Sequence, residues 1–387
     1  MSIRFIGFLL SICMCLSLTG CWDIKDIQDS NYLTALGIDY ADSKYIVYAQ
    51  ALNFSNVAKQ EGGKPRGGAP IWVVRGQGST VYTAINSMYK AMHLQPIWDH
   101  VTAIVFTKQA LEQDVWKQMD AFLRYHEIRY TPWVFGTQVA VDQLFTIKAL
   151  FSVSPKTVVL HNPTTIYKQI SQIPPLKLQK YMMRIEEPGM TLLLPSLTIN
   201  DEVWEVDNKP SKQYQLTGAF AVYNKRMQAF FQDKDLMGYR WIAKETAQTP
   251  LLLTSEHGTE ASIYMKHTKA RIQVEVKDRH IHARITVKVT GIIYENTVNL
   301  IEEELIAHAE EEITKQIKET YEQAFKKGVD IYSLKHHVYR YQNSLWKQAN
   351  QGKDLELDSS LEDVQVKVQI DNAEMARPRE ELSKTIL

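Results

Sequence analysis

Two hydrophobic periods alternate along the first half of the chain. Apolar residues at helical spacing predict helices over 81–92 and 110–124, and either Ser79 or Thr80 is placed to cap the first. Because strands are predicted between and around these helices, the first half is predicted to be an α/β or α+β domain. The strands, rich in β-branched and aromatic residues, are predicted at 45–52, 71–74, 101–106, 132–135 and 138–141.

The second half shows a clearer strand pattern followed by helices. Residues 219–223 and 227–231 flank Asn224-Lys225-Arg226, which predicts a hairpin. The longest helical stripe runs over 299–327, and a second helix is predicted over about 331–347. Together these elements predict an antiparallel-rich sheet with long helices on one face. Further strands are predicted at 263–266, 269–276, 280–289 and 364–370.

The pattern is weaker elsewhere. Residues 55–70 are rich in glycine and proline and predict a loop without regular structure. A helix over 166–183 is predicted to be interrupted by Pro174-Pro175, and a short helix is predicted over 236–245. Residues 189–212 are predicted to form an irregular arm that ends at a domain boundary.

The chain begins with the pattern of a secretory signal. Arg4 precedes an uncharged apolar stretch, 5–18, whose helical length of about 21 Å is short of the ~30 Å needed to span a bilayer. The next residues, Leu18-Thr19-Gly20-Cys21, resemble a bacterial lipobox. We therefore predict cleavage between Gly20 and Cys21, with a diacylglycerol on the Cys21 sulfur and an acyl chain such as palmitate on its amine. The alternative is an ordinary secreted protein that begins with cysteine.

Length and charge limit the remaining possibilities. Removing residues 1–20 from 387 leaves 367, which predicts an α+β, multidomain fold of two or three domains. We expect an N-terminal region at 21–212 with one or two subdomains, a C-terminal domain at 213–376 and a charged tail at 377–387. The 44 basic and 44 acidic residues balance, which argues against nucleic-acid binding and a polybasic membrane patch.

Cysteine usage and hydropathy exclude further classes of site. Cys13 and Cys15 would leave with the signal and Cys21 would carry lipid, so no thiol would remain for a disulfide, a metal or a nucleophile. After Leu18 no stretch of 18 apolar residues occurs, and the lipid is the predicted membrane attachment.

Candidate catalytic and cofactor motifs are weak. Gly76-x-Gly78-Ser-Thr precedes a predicted helix but lacks the rest of a phosphate-binding motif, so a capped turn is favoured. His280-x-His282 and His336-His337 lack the further ligands that zinc requires, which favours surface or packing roles. No Gly-x-Ser-x-Gly sequence occurs. We therefore predict no enzyme, no metal site and no cofactor.

Several charged and aromatic residues remain open between structural and contact roles. Trp22 is placed to lie at a membrane interface, and His100, Arg124 and Arg129 lie on predicted elements of the first half. Two acidic groups are assigned to helix chemistry and not to an acid–base pair; they are Glu186-Glu187 and Glu302-Glu303-Glu304.

Several segments together resemble the Ger(x)C lipoproteins. In the second half the resemblance rests on residues 218–225 and on Gly238-Tyr-Arg-Trp-Ile242. In the first half it rests on Gly20-Cys21-Trp22-Asp23, Leu36-Gly37-Ile38-Asp39, the strand ending at Gln50, Gly78 before a helix, His100 before an apolar strand, and residues 124–129. The chain departs from the family pattern at 62–68, Ala219 and Ala221.

This resemblance implies a lipid-anchored, non-enzymatic C subunit of a spore nutrient germinant receptor, with a three-domain α+β fold. It also implies a place on the outer face of the spore inner membrane, beside multi-span A and B subunits, and no direct germinant binding by this chain alone. The competing hypothesis is a lipid-anchored extracytoplasmic solute-binding protein with a ligand cleft between its domains. A surface hydrolase would need a convergent catalytic group that the sequence does not reveal.

Overall fold

The computed structural model describes residues 30–52, 70–124, 128–152, 155–256, 258–359, 361 and 363–371. The predicted signal, the lipidation site Cys21, Trp22, nearly all of the 55–70 loop and the tail at 377–387 lie outside the described residues. The predicted α+β class is confirmed, because helices pack on sheets of mixed strand direction.

The first large sheet, called here the N-terminal sheet, contains ten strands within the described ranges. The strands are β1 (Ser30–Ala41), β2 (Lys44–Leu52), β3 (Ile71–Gly78), β4 (Gln95–Ile97), β5 (Ala103–Thr107), β6 (Trp133–Thr137), β7 (Leu176–Lys177), β8 (Leu192–Asn200), β11 (Gln213–Tyr223) and β12 (Arg226–Phe231). Their central order is β12-β11-β8-β6-β5-β1-β2-β3, with β4 beside β1 and β7 beside β6. A separate small hairpin consists of β9 (Glu205–Val206) and β10 (Lys209–Pro210).

Six helices accompany this sheet in the described ranges. They are α1 (Val81–Tyr89), α2 (Lys108–Leu111), α3 (Val115–Arg124), α4 (Val141–Phe145), α5 (Thr164–Gln169) and α6 (Leu178–Glu186), with short 3-10 turns at Leu150–Ser152 and Pro155–Thr157. Both faces of the sheet are covered. Along β5, Ile104 and Phe106 join one hydrophobic cluster while Ala103 and Val105 join another on the opposite face.

Two predictions for the first half were wrong in detail. Residues 138–141 are not a strand, because α4 begins at Val141. The helix predicted over 110–124 is two helices, since the Asp114 carboxylate accepts the backbone N–H of Trp116 at 3.0 Å and starts α3 anew. The interruption predicted at Pro174-Pro175 within 166–183 is confirmed, because α5 and α6 are separate helices with β7 between them.

The predicted irregular arm contains β8, which lies inside the N-terminal sheet. Pro195 discouraged a strand prediction because proline lacks a backbone N–H. In the structure Pro195 pairs with Ala219 beside a register shift between Leu216 and Ala219, where Gly218 adopts a φ of 68°. This bulge-like irregularity accommodates the missing donor.

The predicted hairpin is confirmed as β11 and β12. Its turn residues Asn224 and Lys225 both have positive φ, as the tight turns that match strand twist require. Both strands pair within the N-terminal sheet, so its hydrogen bonding continues past residue 212, where the domain boundary is predicted.

The second large sheet, called here the C-terminal sheet, has the predicted antiparallel-rich order with helices packed on one face. Its strands are β13 (Gln248–Ser255), β14 (Gly258–Lys277), β15 (His280–Asn296), β16 (Glu356–Leu357) and β17 (Asp363–Ile370), the last two parallel to β15. Its helices are α7 (Tyr239–Ile242), α8 (Glu302–Lys326), α9 (Leu334–Tyr341) and α10 (Asn343–Gln348), after a 3-10 turn at Asp233–Leu236.

The core of this second unit forms where α8 crosses the sheet. Ile313 and Ile317 of α8 are fully buried in one cluster with Ile285 and Val287 of β15. The two strands predicted at 263–266 and 269–276 are one strand, β14, because a register shift between Lys266 and Lys269 restores the alternation.

Candidate functional site

The predicted lipidation site lies outside the described residues, so the structure leaves Cys21 a prediction. The described chain starts at Ser30, the first residue of β1. Within the described ranges, none of the helices combines the length and the apolar character needed to cross a bilayer.

The predicted cap before α1 is confirmed, but Gly76 and Gly78 belong to the end of β3 and not to the turn itself. Thr80 is the N-cap: its hydroxyl accepts the backbone N–H of Thr83 at 3.1 Å, and the Thr83 hydroxyl accepts the N–H of Thr80 at 2.9 Å. A Cβ at Gly76 would overlap the carbonyl oxygen of Ala84, and one at Gly78 would overlap the Thr83 hydroxyl. Both glycines therefore serve the close approach of α1 to β3.

The histidines of the His280-x-His282 pair lie beside two different acidic side chains. His280 Nε2 lies 3.9 Å from a Glu356 oxygen, and His282 Nδ1 lies 3.4 Å from an Asp358 oxygen. In the described ranges, no three His, Cys, Asp or Glu side chains are grouped to hold a metal ion. Burial, together with His336 and Lys244 nearby, lowers the pKa of His337 to about 4.

The candidate contact residues of the first half also have local partners. The His100 ring lies 5.2 Å from the Tyr32 ring in an edge arrangement, and burial followed by Lys156 lowers its pKa. Arg124 Nε lies 2.9 Å from an Asp120 carboxylate oxygen one helical turn earlier. Arg129 is exposed, and its charge also disfavours protonation of His100.

Glu302, Glu303 and Glu304 have the predicted helix chemistry, whereas Glu186 and Glu187 stand at the C-terminal end of α6, where the helix dipole does not favour an acid. The Glu304 carboxylate accepts the backbone N–H of Ile301 at 3.1 Å and closes the first turn of α8. Glu186 lies 3.4 Å from the Lys225 ammonium, in an exposed ion pair between α6 and the β11–β12 turn.

A buried carboxylate at the start of α9 was missed in the sequence. Asp330 accepts the backbone N–H groups of Leu334 and Lys335, both at 2.8 Å, and so caps the helix. Burial raises its pKa to about 6, although these two N–H groups act in the opposite direction. An acidic residue just before an apolar helical stretch was the available signal.

The same turn joins the two large sheets, and we call residues 188–191 with residues 330–336 the junction. The Ser333 hydroxyl accepts the N–H of Thr191 at 3.1 Å and donates to its carbonyl at 3.2 Å. His336 Nδ1 lies 2.9 Å from the carbonyl oxygen of Pro188. Gly189 has a φ of 71° and lies against the backbone of Lys335 and His336, leaving no room for a side chain. The start of α9 is therefore fixed to the residues that lead into β8.

A groove of about 690 Å³ runs beside the junction. Its wall combines Glu186 and Tyr223 from the first unit with Tyr339, Trp346 and Lys353 from the second. Charged and aromatic groups from both units thus face one open space.

The 238–242 segment, noted for its family resemblance, clamps α7 to α8. The Gln316 side-chain oxygen accepts Arg240 Nη2 at 3.1 Å and the Trp241 indole N–H at 2.9 Å. Arg240 also donates to the Thr249 hydroxyl at 3.0 Å, and burial lowers the pKa of its guanidinium to about 10. Gly238 packs so closely on α8 that a Cβ would overlap the Gln316 carbonyl.

A second buried polar cluster fixes the 155–163 segment to the N-terminal sheet. His161 Nδ1 lies 2.6 Å from the Thr102 hydroxyl, and its Nε2 lies 3.2 Å from the Gln50 side-chain oxygen. Gln50 in turn donates to the carbonyl of Phe145 at 2.8 Å. Burial lowers the pKa of His161 to about 3, so the ring is neutral and acts as a structural connector.

Fold and sites together define a two-sheet α+β protein whose buried polar groups clamp one element to another. The family description "Spore germination protein N-terminal domain" matches residues 23–199, and "Spore germination B3/ GerAC like, C-terminal" matches residues 217–373. The chain belongs to the Ger(x)C family of spore germination proteins, the C subunits of germinant receptors.

Individual relatives agree with this family. Spore germination protein KC of Bacillus subtilis (strain 168) is 23% identical over 88% of this chain and 89% of its own length. Spore germination protein B3 of the same organism is 22% identical over 73% of each chain. A solved structure titled "Crystal Structure of the GerBC protein" matches the fold with a TM-score of 0.54 at 15% identity, covering 87% of this chain and 97% of that one.

Proposed function

We propose that this chain is the lipid-anchored C subunit of a nutrient germinant receptor, held by Cys21 on the outer face of the spore inner membrane. It acts beside multi-span A and B subunits and carries no catalytic role. The observation that carries the proposal is that two germination-protein family descriptions together match most of the chain, residues 23–199 and 217–373. The lipobox-like residues Leu18-Thr19-Gly20-Cys21 stand directly before the first match.

The lipid has a physical purpose in this proposal. Two or more acyl chains on one residue give stable membrane attachment, where a single chain would be marginal. A tethered ectodomain meets membrane partners at a high effective concentration, so weak protein contacts suffice for assembly. Nutrient-driven changes would then reach this chain through subunit contacts.

Assembly is tested by tagging the chain at Leu387, solubilising spore membranes in detergent and identifying co-purified proteins by mass. Recovery of multi-span receptor subunits supports the proposal. Their absence, with the bait intact and lipidated, would contradict it. Ligand-dependent thermal stabilisation of the purified chain would then favour the solute-binding alternative.

Anchoring is tested separately with Cys21→Ala. We expect the variant to leave the membrane fraction and to reduce nutrient-triggered germination. Germination at the normal rate, at a normal protein level, would contradict the role of the anchor. Germination triggered without nutrient receptors serves as the control for general spore damage.

A further inference from the structure

The outer face of the C-terminal sheet, opposite α8, carries an unusual concentration of positive charge. Along β15, the alternation that buries Val287 and Val289 against α8 turns Lys288 outward. Lys288 pairs in register with Lys269 of β14 on one side and Lys367 of β17 on the other. Three exposed lysines thus stand side by side across three adjacent strands.

The rows on either side add further cations and no acid. One row is Arg271, Thr286 and Gln365, and the other is Lys266, Thr290 and Gln369. We call the five cations of these three rows the basic face: Lys266, Lys269, Arg271, Lys288 and Lys367. In the ranges that the structure describes, no ion pair involves them, and the nearest pair on this side is Arg284 with Asp363 in the following row.

This arrangement costs stability. Like charges directly opposite one another on a sheet repel, and an uncovered face would accept threonine or glutamate at these positions. The chain as a whole is electrically balanced, with 44 basic and 44 acidic residues, so the basic face is a local concentration that net charge conceals. Such an arrangement fits a surface that binds a polyanion.

An aromatic end adjoins the basic face on the same side of the sheet. Tyr264 pairs with Ile292 in the row after Lys266, and the Tyr264 and Tyr294 rings lie 5.2 Å apart. The Tyr294 side chain is 67% exposed. Lysine with exposed tyrosine is the combination found where proteins meet the headgroups of a bilayer.

The predominance of lysine over arginine on the basic face indicates which kind of partner it binds, a membrane or a protein. Four of the five cations are lysines, and lysine is depleted at protein–protein interfaces, where arginine is enriched. Lysine is as effective as arginine in the diffuse attraction to anionic headgroups, which needs no bidentate geometry. A flat, polar, lysine-rich face therefore fits an anionic bilayer better than an acidic protein.

A series of contacts connects the aromatic end with β1, the strand at the start of the described chain. The Tyr264 hydroxyl donates to the carbonyl of Gln169, the last residue of α5. His161, just before that helix, lies against Thr102, whose backbone N–H donates to Thr34 of β1. Covalent geometry limits the Cα–Cα distance from Ser30 back to Cys21 to about 30 Å.

We propose that the basic face and its aromatic end form a second, electrostatic contact with the anionic phospholipid surface to which the lipid tethers the chain. This inference rests on the proposed function, because it takes the anchored chain as its starting point. The contact sets the orientation of the ectodomain on the bilayer and so determines which surfaces remain available to partner subunits.

The test uses the full lipidated chain mixed with vesicles of phosphatidylcholine, with or without phosphatidylglycerol. A cysteine introduced at Gln365 on the face is the labelling site, and Glu319→Cys on the far side of α8 is the control. Each carries a fluorophore, and the vesicles contain a nitroxide-labelled lipid that quenches it at short range. Flotation reports attachment and quenching reports orientation.

We expect flotation with both vesicle types and strong quenching at position 365 only with the anionic lipid. Salt should reverse the quenching, because exposed charges are screened within about 10 Å at 0.1 M. The triple change Lys269→Gln, Lys288→Gln and Lys367→Gln should remove the quenching. The matched triple change Lys90→Gln, Lys117→Gln and Lys209→Gln, at exposed positions in the first unit, should preserve it.

Each other outcome is decisive. Flotation with both vesicle types but equal, weak quenching at both labels overturns the basic-face proposal and leaves the anchor intact. Flotation only with anionic vesicles supports the face and contradicts the anchor; affinity should then fall about fivefold per lysine removed. No flotation with either type overturns both. Unchanged quenching in the triple variant, with loss of co-purified subunits, overturns the membrane contact and assigns the face to an acidic protein.

Discussion

The two large sheets differ in how many of their faces are covered. The N-terminal sheet is buried on both sides at its centre, where every residue of β5 from Ala103 to Thr107 is buried. The C-terminal sheet packs α8 against one face, while the other presents Lys269, Lys288 and Lys367 to solvent. Packing dictates the residues of the first sheet, whereas the open face of the second is free to carry a charge pattern. The open face of the C-terminal sheet is therefore the better candidate for an interaction surface.

The largest expected effect tests whether the N-terminal sheet tolerates substitutions less well than the open face of the C-terminal sheet. Phe106→Ala removes a fully buried ring that stacks 5.9 Å from Tyr181, and should cost about 3–5 kcal/mol of unfolding free energy. The matched change on the open face, Gln365→Ala, should stay within about 0.5 kcal/mol. Urea unfolding of both variants measures the difference. Similar losses would show that the open face is covered in solution.

The next effect concerns the junction, where the two regions meet. Burial raises the pKa of Asp330 from its ordinary 3.8 to about 6, so the folded state binds its proton more tightly than the unfolded state. The contribution of this group to stability is therefore present below about pH 4 and is lost as the pH rises through 6. The unfolding free energy lost between these two pH limits is about 3 kcal/mol.

Asp330→Asn keeps one of the two oxygens that cap α9 and has no proton to titrate. We expect the variant to show a flatter stability curve between pH 4 and 6. Unfolding by urea at a series of pH values measures this, with Asp142→Asn, an exposed acid on α4, as the control. Identical curves for parent and Asp330→Asn would contradict a buried titrating carboxyl group.

A smaller loss of stability is expected from a substitution in α8, the helix that packs on the covered face of the C-terminal sheet. Gln316→Leu removes the acceptor shared by Arg240 and Trp241, leaving a buried cation with fewer partners, and should cost about 2–3 kcal/mol. The double variant with Arg240→Met should lose less than the sum of the two single changes, because it also removes the unpaired charge. Strict additivity in thermal unfolding would show that the clamp is not one unit.

The smallest effect is a gain in stability, and it tests the charge pattern on the open face of the C-terminal sheet directly. Lys288→Gln removes the central charge of a row of three lysines and should stabilise the chain by about 0.2–1 kcal/mol. Lys117→Gln, an exposed lysine on α3, should change stability little. The gain should shrink as salt is added. A loss of stability would mean that Lys288 has an attractive partner and that the row is structural.

The sequence predicted correctly those elements whose structure is determined by residues close to one another along the chain. The helix predicted over 81–92 is α1, with Thr80 as its cap, and the β11–β12 hairpin forms around Asn224 and Lys225. The long helix α8 has its acidic first turn at Glu302, Glu303 and Glu304. In each case the residues that decide the structure lie within one turn or one hairpin of each other.

Predictions failed where distant partners decided the structure. Pro195 looks like a strand breaker until Gly218, some twenty residues later, supplies the irregularity that accommodates it. Asp330 looks like an ordinary loop acid, and only its burial against α9 and the N-terminal unit makes it a titrating group. The balanced charge of the chain argued against a basic patch, because composition does not report which residues share a face.

The sequence by itself therefore determined the family, the α+β class and the predicted lipid anchor, since each depends on residues close together along the chain. The tertiary structure alone decided that β11 and β12 complete the N-terminal sheet and that Gln316 joins Arg240 to Trp241. It also decided that lysines from three strands, nearly a hundred residues apart at the extremes, stand in one row. Strand pairing is a non-local interaction, and its register is set by which faces the whole fold buries.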